Sequence, residues 1–194
     1  MGRKKKFDEA TALAAAMHLF WEKGYAATSL QDLEEATGLK RTSIYNTFGN
    51  KRTIFQKTLL LYRLQVEELL AAIMKEEATC RKALARWLRA IIDMHFSKDT
   101  PGGCLMILSV LEGSQHDQET KEMAAVLFRK ERDMVAARLE QGVRDGELPQ
   151  DFDSDAVAGA ISAASSGLMV LAMADYPRKA LEEIGHATLG LLGD

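Results

Sequence analysis

The chain has only two cysteines in 194 residues, Cys80 and Cys104. Two cannot build a disulfide framework. Neither stands in a CxxC or Cys/His spacing, so no metal site is expected. Both fall in apolar, helical surroundings, as reduced thiols do. Proline is as scarce, with three residues. Ala, Leu, Met, Glu, Lys and Arg dominate instead, and they favour an all-α fold. Charge of one sign is also missing. A net charge of −3 argues, taken alone, against nucleic acid. The opening MGRKKKFDE has no apolar run behind its basic residues, so it does not read as a secretory signal. No stretch of ~18 uncharged apolar residues is evident, so no membrane span is expected and the location reads as cytoplasmic. The catalytic signatures are absent too: no nucleophile elbow, no glycine-rich phosphate loop, no His-x-x-x-His. Asp93 with His95, and His116 with Asp117, stand without such support. No catalytic residue and no cofactor are expected.

What is present is unevenly placed. Residues 1–60 hold ten Lys and Arg against six Asp and Glu, while the remainder holds 15 against 22. A basic head on an acidic body is the electrostatic footprint of a local DNA site. Arg3, Lys4, Lys5 and Lys6 form a basic arm suited to phosphates or a minor groove.

Residues 28–52 read TSLQDLEEATGLKRTSIYNTFGNKR, two short helices around a tight turn. Thr28 or Ser29 caps the first, and Gln31, three residues after Thr28, fits a capping box. Leu30, Leu33 and Ala36 make one apolar stripe. Gly38 ends the helix in a left-handed turn. Leu39 and Ile44 pin the second helix inward. Lys40, Arg41, Thr42, Ser43, Tyr45 and Asn46 are left on its outer surface. Such donors and cations contact phosphates and base edges in a major groove. Thr28 offers a further hydroxyl. Lys51 begins a third helix, capped by Asn50, whose positive dipole end attracts phosphate.

With Phe20, Gly24, Tyr25, Thr28, Leu39, Ser43, Ile44, Tyr45, Phe48 and Lys51 in place, residues 8–55 resemble the DNA-binding domain of the TetR family of bacterial transcriptional regulators. The chain departs from that pattern at Asn46-Thr47-Phe48, where members often carry Tyr or His before the closing Phe. The resemblance implies a helix-turn-helix head over residues 1–50 and a helical ligand-binding and dimerisation body over 51–194. It implies that Tyr45 and Lys51 hold the DNA backbone. It also implies a repressor that binds a palindromic operator as a homodimer and leaves it when a small ligand binds.

The body reads as helices throughout. Ile54, Phe55, Leu59, Tyr62 and Val66 mark the buried side of a long helix from Lys51. Further helices cover about 81–96, 103–112, 119–143, 154–175 and 180–192. The Gly103-Cys104-Leu105 step is similar to the start of the ligand-pocket region in such regulators. Trp87, Ile91, Met94, His95, Met106, Ser109, Leu111, Phe128, Ser165, Met169 and Met173 are candidate pocket residues for a small apolar or amphipathic molecule. Methionine adapts to varied apolar shapes, although such a stripe also serves as plain core. The helix at 154–175 carries small residues at three- and four-residue steps: Ala156, Gly159, Ala160, Ala163, Ala164 and Gly167. Small residues admit close helix approach. The resemblance makes that partner a second copy across a two-fold axis, in a four-helix bundle. The competing reading is a ligand-independent DNA-binding architectural protein.

Overall fold

Side-chain caps set where most helices begin. Asp8, Ser29, Asn50, Thr79, Asp117 and Asp153 each accept a backbone N–H from two or three residues ahead, satisfying donors that a helix start leaves open. The computed structural model describes residues 8–193. The arm of Arg3, Lys4, Lys5 and Lys6 lies outside the described residues. Within them the fold is all-α: α1 Glu9–Ala27, α2 Leu30–Thr37, α3 Arg41–Phe48, α4 Lys51–Glu76, α5 Cys80–Phe96, α6 Leu105–Leu111, α7 Gln118–Arg144, α8 Ser154–Met173 and α9 Arg178–Thr188. A 3-10 turn, Leu189–Leu192, follows α9.

The head is α1 to α3. Phe20, Leu33, Leu39, Ile44 and Phe48 are all buried in it. The capping box at α2 is one residue out of the expected register. Ser29 takes the N–H of Asp32, and Asp32 returns its carboxylate to the N–H of Ser29. Gln31 instead pairs along the helix with Glu35. Ala36, expected on the apolar stripe, is exposed.

A seam of aromatic rings joins the head to α4. Phe20 meets Phe55 edge-on at 5.0 Å, and Trp21 meets Tyr62 at 4.9 Å. Such contacts add about 0.5–1.5 kcal/mol each beyond their burial. The other side of α4 packs on α7, and α5, α7, α8 and α9 complete the body.

One expectation about α8 needs correction. Residues 156–174 carry no charge, and α8 is by length and hydropathy apolar enough to cross a membrane. Interspersed Ser and Gly hid the run. In the fold the helix lies along α5, α7 and α9, with Ala158, Ile161, Leu168 and Ala172 buried.

Candidate nucleic-acid interface and ligand pocket

The short helix α3 is held from below and open above. Leu39 and Ile44 anchor it, and Glu34 of α2 accepts the N–H of Arg41. Lys40, Arg41, Thr42, Tyr45 and Asn46 are exposed, and Ser43 is half-buried. The Arg41 guanidinium stands 5.7 Å from the centre of the Tyr45 ring. These six residues bring two cations, three hydroxyls, an amide and no carboxylate of their own; Glu34 of α2 supplies the one at the Arg41 N–H.

Two expected contacts sit differently. Thr28 is buried, and its hydroxyl donates to the carbonyl of Gly24 at 2.6 Å. Its proton is committed to the corner between α1 and α2, which removes it from the exposed set. The Lys51 ammonium turns back over the Tyr25 ring, 4.4 Å from its centre, and reaches the carbonyl of Ala26. Burial pulls its pKa below the usual lysine value, while Glu112 and Asp32 hold it up.

The body holds a narrow, partly open cavity of about 30 Å³, room for one water. Tyr62 and Val66 line it from α4; Trp87, Ile91 and Met94 from α5; Cys104 and Ile107 at α6; Leu127, Phe128 and Glu131 from α7; Ser165, Ser166 and Met169 from α8. Of the candidate pocket residues, Trp87, Ile91, Met94, Phe128, Ser165 and Met169 line this cavity. His95, Met106 and Ser109 do not. His95 Nδ1 accepts the N–H of Gly103 at 2.9 Å and ties down the loop before α6. Met106 and Ser109 are buried on α6 without lining the cavity. Leu111 is 68% exposed, and Met173 packs at Gly103. A wider groove of about 410 Å³ between α5 and α9 is open to solvent, with Lys82, Arg86, Arg89 and Glu182 along it. Ala85, Leu88, Ile92 and Leu189 form its apolar floor, but unlike the smaller cavity it does not lie among α4, α5, α6, α7 and α8.

Glu131 was missed in the sequence. It is only 7% exposed. Trp87 Nε1 donates to its carboxylate at 3.3 Å, and the Ser165 hydroxyl hydrogen-bonds to it. Burial raises its pKa above the usual carboxylate value. The spacing carried a signal. Glu131 stands four residues from both Leu127 and Val135, on the buried side of α7.

Glu112 was missed as well. It caps the C-terminal end of α6 and reaches across to the head. Its two carboxylate oxygens accept the N–H groups of Tyr25 and Ala26 at 2.8 and 3.0 Å. His116, on the segment that follows, stacks on Phe55 at 5.0 Å and faces Tyr25. Burial lowers its pKa. The α6 helix therefore begins at the cavity, at Cys104 and Ile107, and ends on the head.

On α8, Ala156, Ala160 and Ala163 are exposed, and Gly159 and Gly167 are half-buried. A Cβ built at either glycine would meet nothing within 4 Å beyond its own stretch of helix. Val170 extends the strip and is 46% exposed. No packing within the chain requires glycine at these two positions.

Known proteins resemble the chain over nearly its whole length. The sequence model described as "Bacterial regulatory proteins, tetR family" matches residues 12–58. "Tetracyclin repressor-like, C-terminal domain" matches residues 80–188. The HTH-type transcriptional repressor ComR of Escherichia coli (strain K12) is 34% identical over 192 residues, covering 98% of this chain and 91% of that protein. The HTH-type transcriptional repressor BdcR of the same organism is 26% identical, covering 86% of this chain and 83% of the relative. Among solved structures, a cysteine mutant of the TetR family transcriptional regulator CifR, complexed with 26bp double-strand operator DNA, aligns with a TM-score of 0.90 at 29% identity. That alignment covers 97% of this chain and 98% of the other.

Proposed function

The chain belongs to the TetR family of bacterial regulatory proteins, and from that premise we propose that it is a cytoplasmic repressor, homodimeric on a palindromic operator and released by a small ligand. It is a DNA-binding transcriptional regulator and not an enzyme. The observation that carries the reading is the α3 surface of Lys40, Arg41, Thr42, Ser43, Tyr45 and Asn46, five of them exposed and none acidic. Cations there bind phosphates, and the hydroxyl and amide groups read base edges.

One such helix reads half a site. Two related by a two-fold axis read a palindrome. The strip of exposed Ala156, Ala160 and Ala163 with half-buried Gly159 and Gly167 supports a partner copy of α8, with α9 alongside, as the other half of a four-helix bundle. The cavity beneath Trp87 is the ligand site. Ligand entry has to spread α4, α5, α7 and α8, because about 30 Å³ holds no organic molecule. The displacement has two routes to the head: the shared helix α4, and α6 with its Glu112 contact. Seven residues of α6 span about 10 Å, enough to carry a shift at Cys104 to Tyr25. The spacing of the two heads then changes, and the operator complex loosens.

The test is reciprocal. In a Trp21→Phe background, emission reports on Trp87 alone. A molecule that changes this emission must weaken operator binding, and operator must weaken its binding by the same factor. A broad screen in which every emission change leaves operator affinity untouched would reject the switch and favour ligand-independent DNA binding.

A further inference from the structure

We propose that Glu131 is the recognition residue of the cavity, and that the ligand is a small organic cation: a protonated amine on an apolar body. The inference rests on the cavity being the ligand site.

Glu131 projects from α7 into a space otherwise lined by apolar and neutral polar groups. Its two hydrogen-bonding neighbours, Trp87 and Ser165, are both uncharged. Among the described residues no Lys, Arg or His lies within ion-pair distance of it. The other buried charge on α7 is treated differently: Arg138 is 5% exposed and lies 3.7 Å from Glu147. A carboxylate taken out of water without a counter-charge is costly. Glutamine would serve Trp87 and Ser165 equally well without that cost. An ionisable acid at this place therefore has a use that the ligand-free fold does not show.

The rest of the lining suits a cation. The aromatic side chains of Trp87, Phe128 and Tyr62 border the same space, and an ammonium is attracted to aromatic faces. The Tyr62 hydroxyl is buried without a full hydrogen bond and can accept from an ammonium. Met94 and Met169 are the flexible walls that yield to the apolar body. Val66, Met94 and Phe128 are half-buried and form the entrance. A primary ammonium brings three donors, for the carboxylate, the tyrosine oxygen and a serine hydroxyl.

Three probes of one length separate charge from hydrophobicity: hexylammonium, hexan-1-ol and hexanoate. Their binding is followed by Trp87 emission at neutral pH in the Trp21→Phe protein. Hexylammonium should saturate at a concentration at least about tenfold below that of hexanol, a ratio one charge-assisted contact supplies, with hexanoate weakest. In Glu131→Gln the ammonium and the alcohol should bind within about twofold of each other, with the alcohol's own affinity little changed. Equal binding of alcohol and ammonium in the Glu131 protein overturns the proposal. So does an ammonium preference that survives Glu131→Gln, or saturable binding by none of the three. If the variant does not fold, the ratio in the Glu131 protein decides alone. Operator affinity measured in parallel keeps the two readings apart. Ammonium preference without operator release upholds this assignment and rejects the ligand switch. Alcohol preference with release does the reverse.

Discussion

The carboxylate of Glu112 and the backbone N–H of Tyr25, 87 residues apart, meet at 2.8 Å. Gly24 lets them meet. Its φ of +78° suits glycine, and a Cβ there would fall 2.7 Å from the same carboxylate. The contact ties the end of α6 to the corner between α1 and α2. Glu112→Ala leaves two N–H groups without their charged acceptor. Hydrogen bonds to charged groups contribute about 1.5–3 kcal/mol when buried, and this site is half-buried. We expect a loss of about 1–3 kcal/mol and a melting midpoint lower by several degrees. Glu112→Gln, which keeps one acceptor oxygen, should lose less. Equal midpoints for all three proteins in thermal unfolding would show that the contact does not hold the head.

At and around α3, backbone positioning and base reading should separate by mutation. Lys40→Ala should weaken all DNA sequences alike and lower the slope of log affinity against log salt by about 1. Lys51→Ala should change the slope less, because that ammonium lies over Tyr25. Thr42→Ala and Ser43→Ala should change which base pair is preferred, by roughly 1–3 kcal/mol at one operator position. Salt titrations over a panel of operator variants measure both. Uniform losses for Thr42 and Ser43 would take them out of base reading.

Gly159→Leu and Ala163→Leu test the second copy. The single chain has no atom within 4 Å of a Cβ added at Gly159 and an exposed Ala163, so a larger side chain starts out in unpacked space. In a two-fold bundle the added bulk enters twice, at about 1–3 kcal/mol per site. Sedimentation should find folded monomers that no longer hold the operator. A mutant that stays dimeric would move the interface to another surface.

Glu131 makes stability depend on pH in a definite direction. Burial raises its pKa above the usual 4.5. The unfolded chain then releases its proton at lower pH than the folded one. Stability from this group is full below about 4.5 and falls as pH rises to the raised value. Glu131→Gln has no such loss. The stability of the Gln variant relative to the parent should therefore increase between pH 4 and pH 7. The increase is about 1.4 kcal/mol for every tenfold by which folding tightens the carboxyl's hold on its proton. Urea unfolding of both proteins at the two pH values decides it. A difference that does not change with pH would place Glu131 in a water-like setting.

The head was legible in the sequence because its logic is local. Leu33, Leu39, Ile44 and Phe48 bury as their spacing requires, and Gly38 takes the left-handed turn at φ +67°. The cap of α2, open between Thr28 and Ser29 in the sequence, is settled just as locally. Thr28 and Ser29 are both good caps, and only the packing of Thr28 under Gly24 decides between them. The contacts of Glu112 and Glu131 are of another kind. Glu112 meets residues that no local pattern connects to it. Glu131 sits in a charged helix, where an acid reads as solvent-facing unless its register with Leu127 and Val135 is weighed first. His95 stands one turn beyond Ile91 and Ile92 in sequence, which makes it a candidate for the same apolar interior. The loop that returns through Gly103 captured it instead.

The most direct measurement is selection of DNA itself. Genomic fragments from the source organism are mixed with the protein near physiological salt, filtered and sequenced, and the retained fragments are footprinted. A few fragments should be strongly enriched, each protected over two half-sites related by two-fold symmetry and carrying two chains. Uniform retention of all fragments, or protection of a single unpaired half-site by one chain, would contradict a dimeric, site-selective regulator.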